Sequence, residues 1–411
     1  MNTDNHTIQA GQSWRLGLVL SVLAIAVVLI CAKVVWLSVQ EQAFLQKQGD
    51  ARSLRVVEDV AQRGIITDRF GKPLAVSAPV QTIWADPRIV NEKSPQLEQL
   101  AKLLGLDAKT LQHKIASKKK KHFLYIKRQI EPDLAQQVMA LGITGVFAKQ
   151  EYKRFYPAAD MVSQLIGFTG VDGEGQEGLE HTFNEHMRAE SGKQLIVKDR
   201  EGHKVRYIRT EAAAKPGHPL QLTINSEIQY LAYRELKSAV KAHNADSASL
   251  VMLDPHNGDI LAMVNYPSFN PNNINERVSA AIRNRAAADT FEPGSTMKPL
   301  TVAAALMSGL YQPNAVIDTA PGKLKVQGNV ISDHRNYGKL DITGIITKSS
   351  NVGTAKLALS LEPGALHNML YNVGLGRPTG VGLLSEQAGR LPFLSDGQRI
   401  QRAAMSYGYG L

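Results

Sequence analysis

Cysteine is nearly absent: Cys31 is the only one in 411 residues, so no disulfide can form within the chain and cysteine usage says nothing about its redox compartment. Metal-ligand spacing is missing as well. His181, Glu185 and His186 in LEHTFNEHM stand as HxxxEH, which is neither HExxH nor HxxEH, and no metal or cofactor is expected. GEGQEG, Gly173 to Gly178, fits the GxGxxG of dinucleotide sites letter for letter, but Asp172, Glu174 and Glu177 would crowd a pyrophosphate, which leaves a turn leading into a helix. Acids are in the minority, 37 against 47 Lys plus Arg, giving a net charge of +10. Part of that excess sits in HKIASKKKKHFLYIKRQ, His113 to Gln129. With no base-reading module beside it, the run reads as a solvated basic face, with anionic lipid or an acidic polymer as the alternative contact and no nucleic acid expected.

Charge is also missing from Leu16 to Ala32, and apolar character resumes after Lys33 in VVWLSV. That length supplies the roughly 20 residues that cross a bilayer. A cleaved signal peptide would carry a shorter apolar run and a small-residue cleavage site. Neither is visible, so residues 16–39 are expected to form an uncleaved transmembrane anchor behind a short tail, 1–15. Charge alone leaves the orientation open, because Arg15 precedes the span while Lys47, Arg52 and Arg55 follow it.

Residues 40–214 mix short strand-like pieces (RSLRVVEDV, TIWADP, GVFAKQ) with polar helices (QLEQLAKLLG, EPDLAQQVMALG) and many turn residues, an irregular α+β module. A Pro-Gly break near 215 opens a second domain, 215–411. There Leu222 and Ile224 alternate like a strand, and Ile228, Leu231, Leu236 and Val240 recur at helical spacing with Ser226 placed as the N-cap. SASLVMLD and ILAMVNY then form a hairpin with Asn257-Gly258 in its turn.

SxxK occurs three times, and only one copy has a reason to be reactive. Ser117 with Lys120 lies in the lysine run, and Ser238 with Lys241 lies on the outer part of an amphipathic helix. Ser295 in TFEPGSTMKPLTVAAAL follows a Pro-Gly stop, and Pro299 confines the helix start to its neighbourhood. The hydroxyl then sits at a helix N-terminus, with Lys298 one turn on and within reach of it. The apolar LTVAAALM behind Lys298 would disfavour its ammonium form and let it accept the serine proton. On this arrangement alone catalysis and an ordinary helix start are evenly balanced. Ser349, Ser350 and Asn351 in KSSNVG, at another loop-to-helix junction, tip the balance: an SxN offers a hydroxyl to relay a proton and an amide to hold a carbonyl. A second SxN, Ser268 with Asn270, reads as turn chemistry, and His334 in SDHRN as structural.

FEPGSTMKP followed by KSSNVG resembles the first two active-site motifs of the class B penicillin-binding proteins, and SYGYGL near the end is similar to a further segment of that family. The resemblance extends through RGIITDRFGKPLAVS, KRFYPAADMVSQLIGFTG and GQEGLEHTFN, so it covers nearly the whole chain past the anchor. It is strongest to the division-specific subfamily, with the elongation-specific paralogue as the near alternative. It implies a non-catalytic pedestal or dimerisation-type module over 40–214 and an α/β penicillin-binding domain, of the serine transpeptidase and β-lactamase kind, over 215–411. The activity implied is that of a peptidoglycan D,D-transpeptidase. Ser295 would attack the D-Ala-D-Ala carbonyl of a stem peptide, Lys298 would take its proton, Ser349 would pass a proton to the leaving amine, and Asn351 would bind substrate and fix Lys298. β-Lactams would acylate Ser295 as substrate mimics. The implied location is the bacterial inner membrane, single-pass, with the bulk of the chain in the periplasm. The implied partners are division proteins, among them a lipid II-polymerising glycosyltransferase.

One family motif is missing. No lysine is followed by Ser or Thr and then Gly, whereas the resemblance calls for such a strand to hold the substrate carboxylate and a second oxyanion donor. The transpeptidase domain is therefore expected to lack its C-terminal part. Two other readings follow, an inert membrane scaffold and a β-lactam sensor or β-lactamase; the large module ahead of Ser295 argues against the latter.

Overall fold

A computed structural model describes residues 6–41, 44, 47, 54–198 and 204–411. The first five residues of the expected tail, and Arg52, lie outside the described residues. The first element is a 34-residue helix, His6–Val39, which begins ahead of the expected span. Its stretch Trp14–Val39 is apolar on all sides and buries nothing against protein. At 1.5 Å per residue, 26 residues reach about 39 Å, enough to cross the roughly 30 Å of a hydrocarbon core.

Beyond that helix the chain forms two compact units. Unit 1 holds 81–151 and 189–216 together with the N-terminal residues. Its helix Pro95–Leu104 starts at Ser94, whose hydroxyl accepts from Gln96 N, and stops at Gly105 in the left-handed conformation. Both are standard end signals. Leu97, Leu100, Ala101 and Leu104 put its buried stripe at i, i+3, i+4 and i+7. That stripe packs with Leu111 and Ile115 of the helix Ala108–Ala116 and with Ile83, Leu124, Ile126 and Ile130 of two antiparallel strands. The basic run spans the end of the helix Ala108–Ala116, a turn and the strand Leu124–Ile130; its lysine cluster lies in the turn, where Lys119 pairs with Glu92 at 2.5 Å, while Ile115, Leu124 and Ile126 of the same run are buried.

Unit 2 holds 63–80, 152–188 and 217–411. The division expected near 215 is thus crossed by two earlier segments, because their apolar residues share one core with later ones: Ile66, Leu74, Tyr156, Ile166 and Phe168 pack with Ile224, Met263 and Phe269. A buried carboxylate ties the early segments together. Glu180 is fully buried and accepts from Arg63 Nε at 2.7 Å and Arg154 Nε at 2.6 Å. GEGQEG forms a turn closed by Gly170 N donating to Glu174 O, and LEHTFNEHM is two short helices, Gly178–Thr182 and Asn184–Met187. His181 contacts the Gly175 carbonyl, while His186 contacts that of Pro219.

Two local expectations need correcting. The helix Ser226–Ala242 is capped by Asn225, whose side chain accepts from Glu227 N and Ile228 N. Ser226 is instead the first helical residue, and its hydroxyl is drawn away to Asp68 Oδ2 at 2.7 Å. The strand ahead of it is Leu220–Gln221, so Leu222 and Ile224 lie past it, although Leu222 N still donates to Thr67 O. The hairpin forms as expected, Ala248–Leu253 antiparallel to Ile260–Tyr266, with Gly258 at φ +79° in its turn. A second core, built from Val302, Ala305, Ile345, Leu357, Leu370 and Met405, carries the helices that frame the site.

Candidate active site

Ser295 sits in a tight helical turn, Gly294–Met297, that runs straight into the α-helix Lys298–Met307. Gly294 takes φ +61°, open to glycine at little cost, and Pro299 occupies the first turn of the helix, where its missing N–H is not needed. The turn is pinned from behind. Gly294 N donates to Gly408 O at 3.0 Å, Gly410 N donates to Glu292 Oε1 at 2.8 Å, and Thr301 Oγ1 donates to Ser406 O at 2.7 Å. The SYGYG segment therefore braces the serine turn.

Ser295 is exposed, whereas Lys298, three residues on, is 1% exposed. Its ammonium meets three acceptors, which match its three N–H groups: Ser349 O at 2.6 Å, Ser349 Oγ at 2.8 Å and Asn351 Oδ1 at 2.8 Å. Burial holds the Lys298 pKa below its ordinary 10.5, opposed by the negative charge of Asp333. Ser349 Oγ lies 3.1 Å from Ser295 Oγ. No hydrogen bond joins Lys298 to Ser295 directly, so the expected reach of lysine to serine is made through the Ser349 hydroxyl. A segment 51 residues beyond Lys298 has completed the site.

Ser349 adopts φ +52°, a left-handed conformation that is uncommon outside glycine. Its strained backbone aims both its carbonyl and its hydroxyl at Lys298. Ser350 caps the helix Asn351–Ser360 through Gly353 N and is fully buried. Asn351 Nδ2 donates to Ser332 O at 3.1 Å, which leaves its oxygen turned to Lys298. The other candidates are placed elsewhere. Ser117, Lys120, Ser238 and Lys241 are exposed, and Ser268 bonds the Tyr233 hydroxyl in a turn where Asn270 accepts from Asn272 N. His334 is exposed in its loop. The reading of SDHRN overlooked its neighbour Asp333, which binds the Ser349–Ser350–Asn351 turn from below. Nothing in local spacing ties Asp333 to that turn.

An exposed serine linked through a second hydroxyl to a buried lysine, behind an N-terminal apolar helix and an α+β unit, defines a class of serine acyl-transfer protein. Comparison with known proteins narrows the class. Residues 248–411 match the penicillin binding protein transpeptidase domain, and residues 58–222 match the penicillin-binding protein dimerisation domain. The chain is 40% identical over 404 residues to the peptidoglycan D,D-transpeptidase FtsI of Escherichia coli K12, covering 97% of this chain and 68% of that protein. It is 39% identical to a probable peptidoglycan D,D-transpeptidase, PbpC, of Pseudomonas aeruginosa, covering 97% and 71%. Among solved structures, PBP2 of Helicobacter pylori, in complex with MreC, superposes with a TM-score of 0.70 at 21% identity over 87% of this chain and 73% of that one, a likeness of fold. The chain belongs to the class B penicillin-binding proteins.

Proposed function

We propose that this chain is a peptidoglycan D,D-transpeptidase acting in septal wall synthesis, with Ser295 as nucleophile. The observation that carries this reading is the hydrogen-bonded series Lys298–Ser349–Ser295, assembled from two segments with no spacing relation in the sequence. Once Lys298 is neutral, the two hydroxyl bonds can reverse: Ser295 donates to Ser349 Oγ, and Ser349 donates to Nζ. Ser295 Oγ then bonds to the carbonyl carbon of the penultimate D-Ala as its proton passes along the series to Lys298. Collapse of the tetrahedral adduct breaks the C–N bond to the terminal D-Ala, and the same series returns the proton to the departing amine. An amine from a neighbouring strand resolves the ester by the reverse steps. The Ser295 amide, at the start of a helical turn, supplies one oxyanion donor. Asn351 keeps Lys298 in place and contacts the substrate amide.

In this reading residues 1–15 lie in the cytoplasm, 16–39 cross the inner membrane, 40–214 form the non-catalytic module and 215–411 carry the transpeptidase site in the periplasm. β-Lactams acylate Ser295, and division proteins that include a lipid II polymerase are the partners. Intact-mass analysis after incubation with a penicillin tests the chemistry. Ser295→Ala should abolish a single covalent adduct that Ser117→Ala and Ser238→Ala leave intact, and an adduct that survives Ser295→Ala overturns the assignment. Septal recruitment of a fluorescent fusion separates the division role from an elongation role, in which it would line the side wall. A second reading, an inert scaffold, draws support from the absence of any Lys-Ser/Thr-Gly in the sequence; septal recruitment without an adduct would favour it.

A further inference from the structure

The site described so far has a support that none of its catalytic assignments includes. The hairpin Lys323–Val326 and Asn329–Ser332 ends at Asp333, whose own N–H is fixed to Gly322 O at 3.0 Å. Both carboxylate oxygens of Asp333 are spent on the turn that carries Ser349 and Asn351. Oδ2 accepts from the buried Ser350 hydroxyl at 2.7 Å, and Oδ1 accepts from Val352 N at 3.0 Å. The preceding residue, Ser332, accepts from Asn351 Nδ2. Ser350, Asn351 and Val352 are thus tied to two consecutive residues, Ser332 and Asp333, while Ser349 is held at φ +52°. A left-handed serine costs on the order of 1 kcal/mol or more and persists only where its surroundings hold it there.

We propose that Asp333 is a positioning residue of the acylation site: its carboxylate clamps the Ser349–Ser350–Asn351 turn so that the Ser349 hydroxyl and carbonyl and the Asn351 oxygen converge on Lys298. The inference rests on the reading of Ser295 as nucleophile and Lys298 as base. Asp333 also sets the charge around Lys298, since its negative charge favours the ammonium that burial disfavours. The other charged or titratable groups on elements packed around Lys298 are engaged or turned elsewhere. Lys356 donates to Asp318 O, Arg402 to Asp396 and Leu361 O, Asp341 caps its helix at Gly344 N, His367 packs on Phe393, and Lys348 is exposed.

The two roles give separable signatures. In Asp333→Asn, competitive acetylation of the full chain in detergent, read at Lys298 by mass spectrometry across pH, should show the Lys298 midpoint displaced to lower pH. Penicillin acylation of the same variant should slow about 10- to 100-fold even on the alkaline plateau, where Lys298 is neutral in both proteins, because misplacement of about 1 Å carries that penalty. Ser350→Ala, which keeps the charge and removes one anchor, should lower the plateau and leave the midpoint in place. Asp333→Glu should recover part of the midpoint displacement. A folded Asp333→Asn chain with midpoint and plateau both unchanged overturns the proposal. If Asp333→Asn does not fold by circular dichroism, an unchanged plateau in Ser350→Ala does the same. A wild-type chain that forms no penicillin adduct counts against the transpeptidase reading, while the Lys298 midpoint still decides for or against Asp333.

Discussion

At the scale of single residues, the site works by conflict between burial and charge. Lys298 is a cation held at 1% exposure because three acceptors surround it, yet its burial outweighs the nearby Asp333 and lowers its pKa. As the proposed base, Lys298 must be neutral for acylation, so the rate should climb with pH through an apparent pKa below 10.5. A stopped-flow pH profile with a chromogenic cephalosporin checks this, and a rate that rises only near or above 10.5 would argue against Lys298 as the base. The stability linkage has a definite sign. Because the folded-state pKa is depressed, the buried ammonium penalises the fold below that pKa, and the penalty fades as pH rises from it to 10.5. The residue proposed as the base thereby costs stability, a trade common in active sites.

At the scale of elements, position comes from what braces each turn. Gly408 adopts φ +88°, and a Cβ there would lie 2.1 Å from the Gly294 carbonyl oxygen, one residue before Ser295. Gly408→Ala should therefore displace the serine turn, slow penicillin acylation by at least about tenfold, and lower stability by roughly 1 kcal/mol or more. Unchanged acylation kinetics would show the brace to be dispensable. The serine turn was legible in the sequence because Pro293, Gly294 and Pro299 fix a helix start by local sterics. So were the helix Pro95–Leu104, with a proline start and a glycine stop, and the hairpin around Gly258. What escaped was non-local. Ser226 has the chemistry of a cap, but Asp68, distant in sequence, claims its hydroxyl and hands the cap to Asn225. Asp333 carries no signal in SDHRN, since its meaning depends on a turn that folds against it. The direct bond expected between Lys298 and Ser295 gave way to a bridge for a related reason: the left-handed backbone of Ser349 cannot be read from KSSNVG.

At the scale of the whole molecule, a buried carboxylate joins two separate early segments of unit 2. Glu180 binds two arginines from 63–80 and 152–188 while fully buried, so removing its charge leaves both cations without their partner. Breaking a buried pair in this way costs about 3–5 kcal/mol. Glu180→Gln should lower the thermal midpoint of unit 2 accordingly, and a midpoint within a degree of wild type would show that the arginines find other partners.

The hairpin of unit 2 raises the question of what this 411-residue chain can do unaided. Among the described residues Ala248–Leu253 pairs only with Ile260–Tyr266, and Val251, Met252 and Leu253 are 45%, 41% and 55% exposed. A strand edge bearing exposed apolar side chains is a template for association. The resemblance also assigns the second oxyanion donor to a Lys-Ser/Thr-Gly strand that the sequence does not contain, and losing one such donor costs on the order of 10²-fold or more in rate. The chain from about residue 40 to Leu411 should therefore associate in solution and acquire its penicillin adduct, read by intact mass, about 10²-fold more slowly than the same chain joined to a segment bearing that strand. A joined chain that acylates faster yet still associates by light scattering would show that the added strand leaves this edge uncovered. Equal acylation rates with and without that segment would mean that Ser295, Lys298, Ser349 and Asn351 suffice without it.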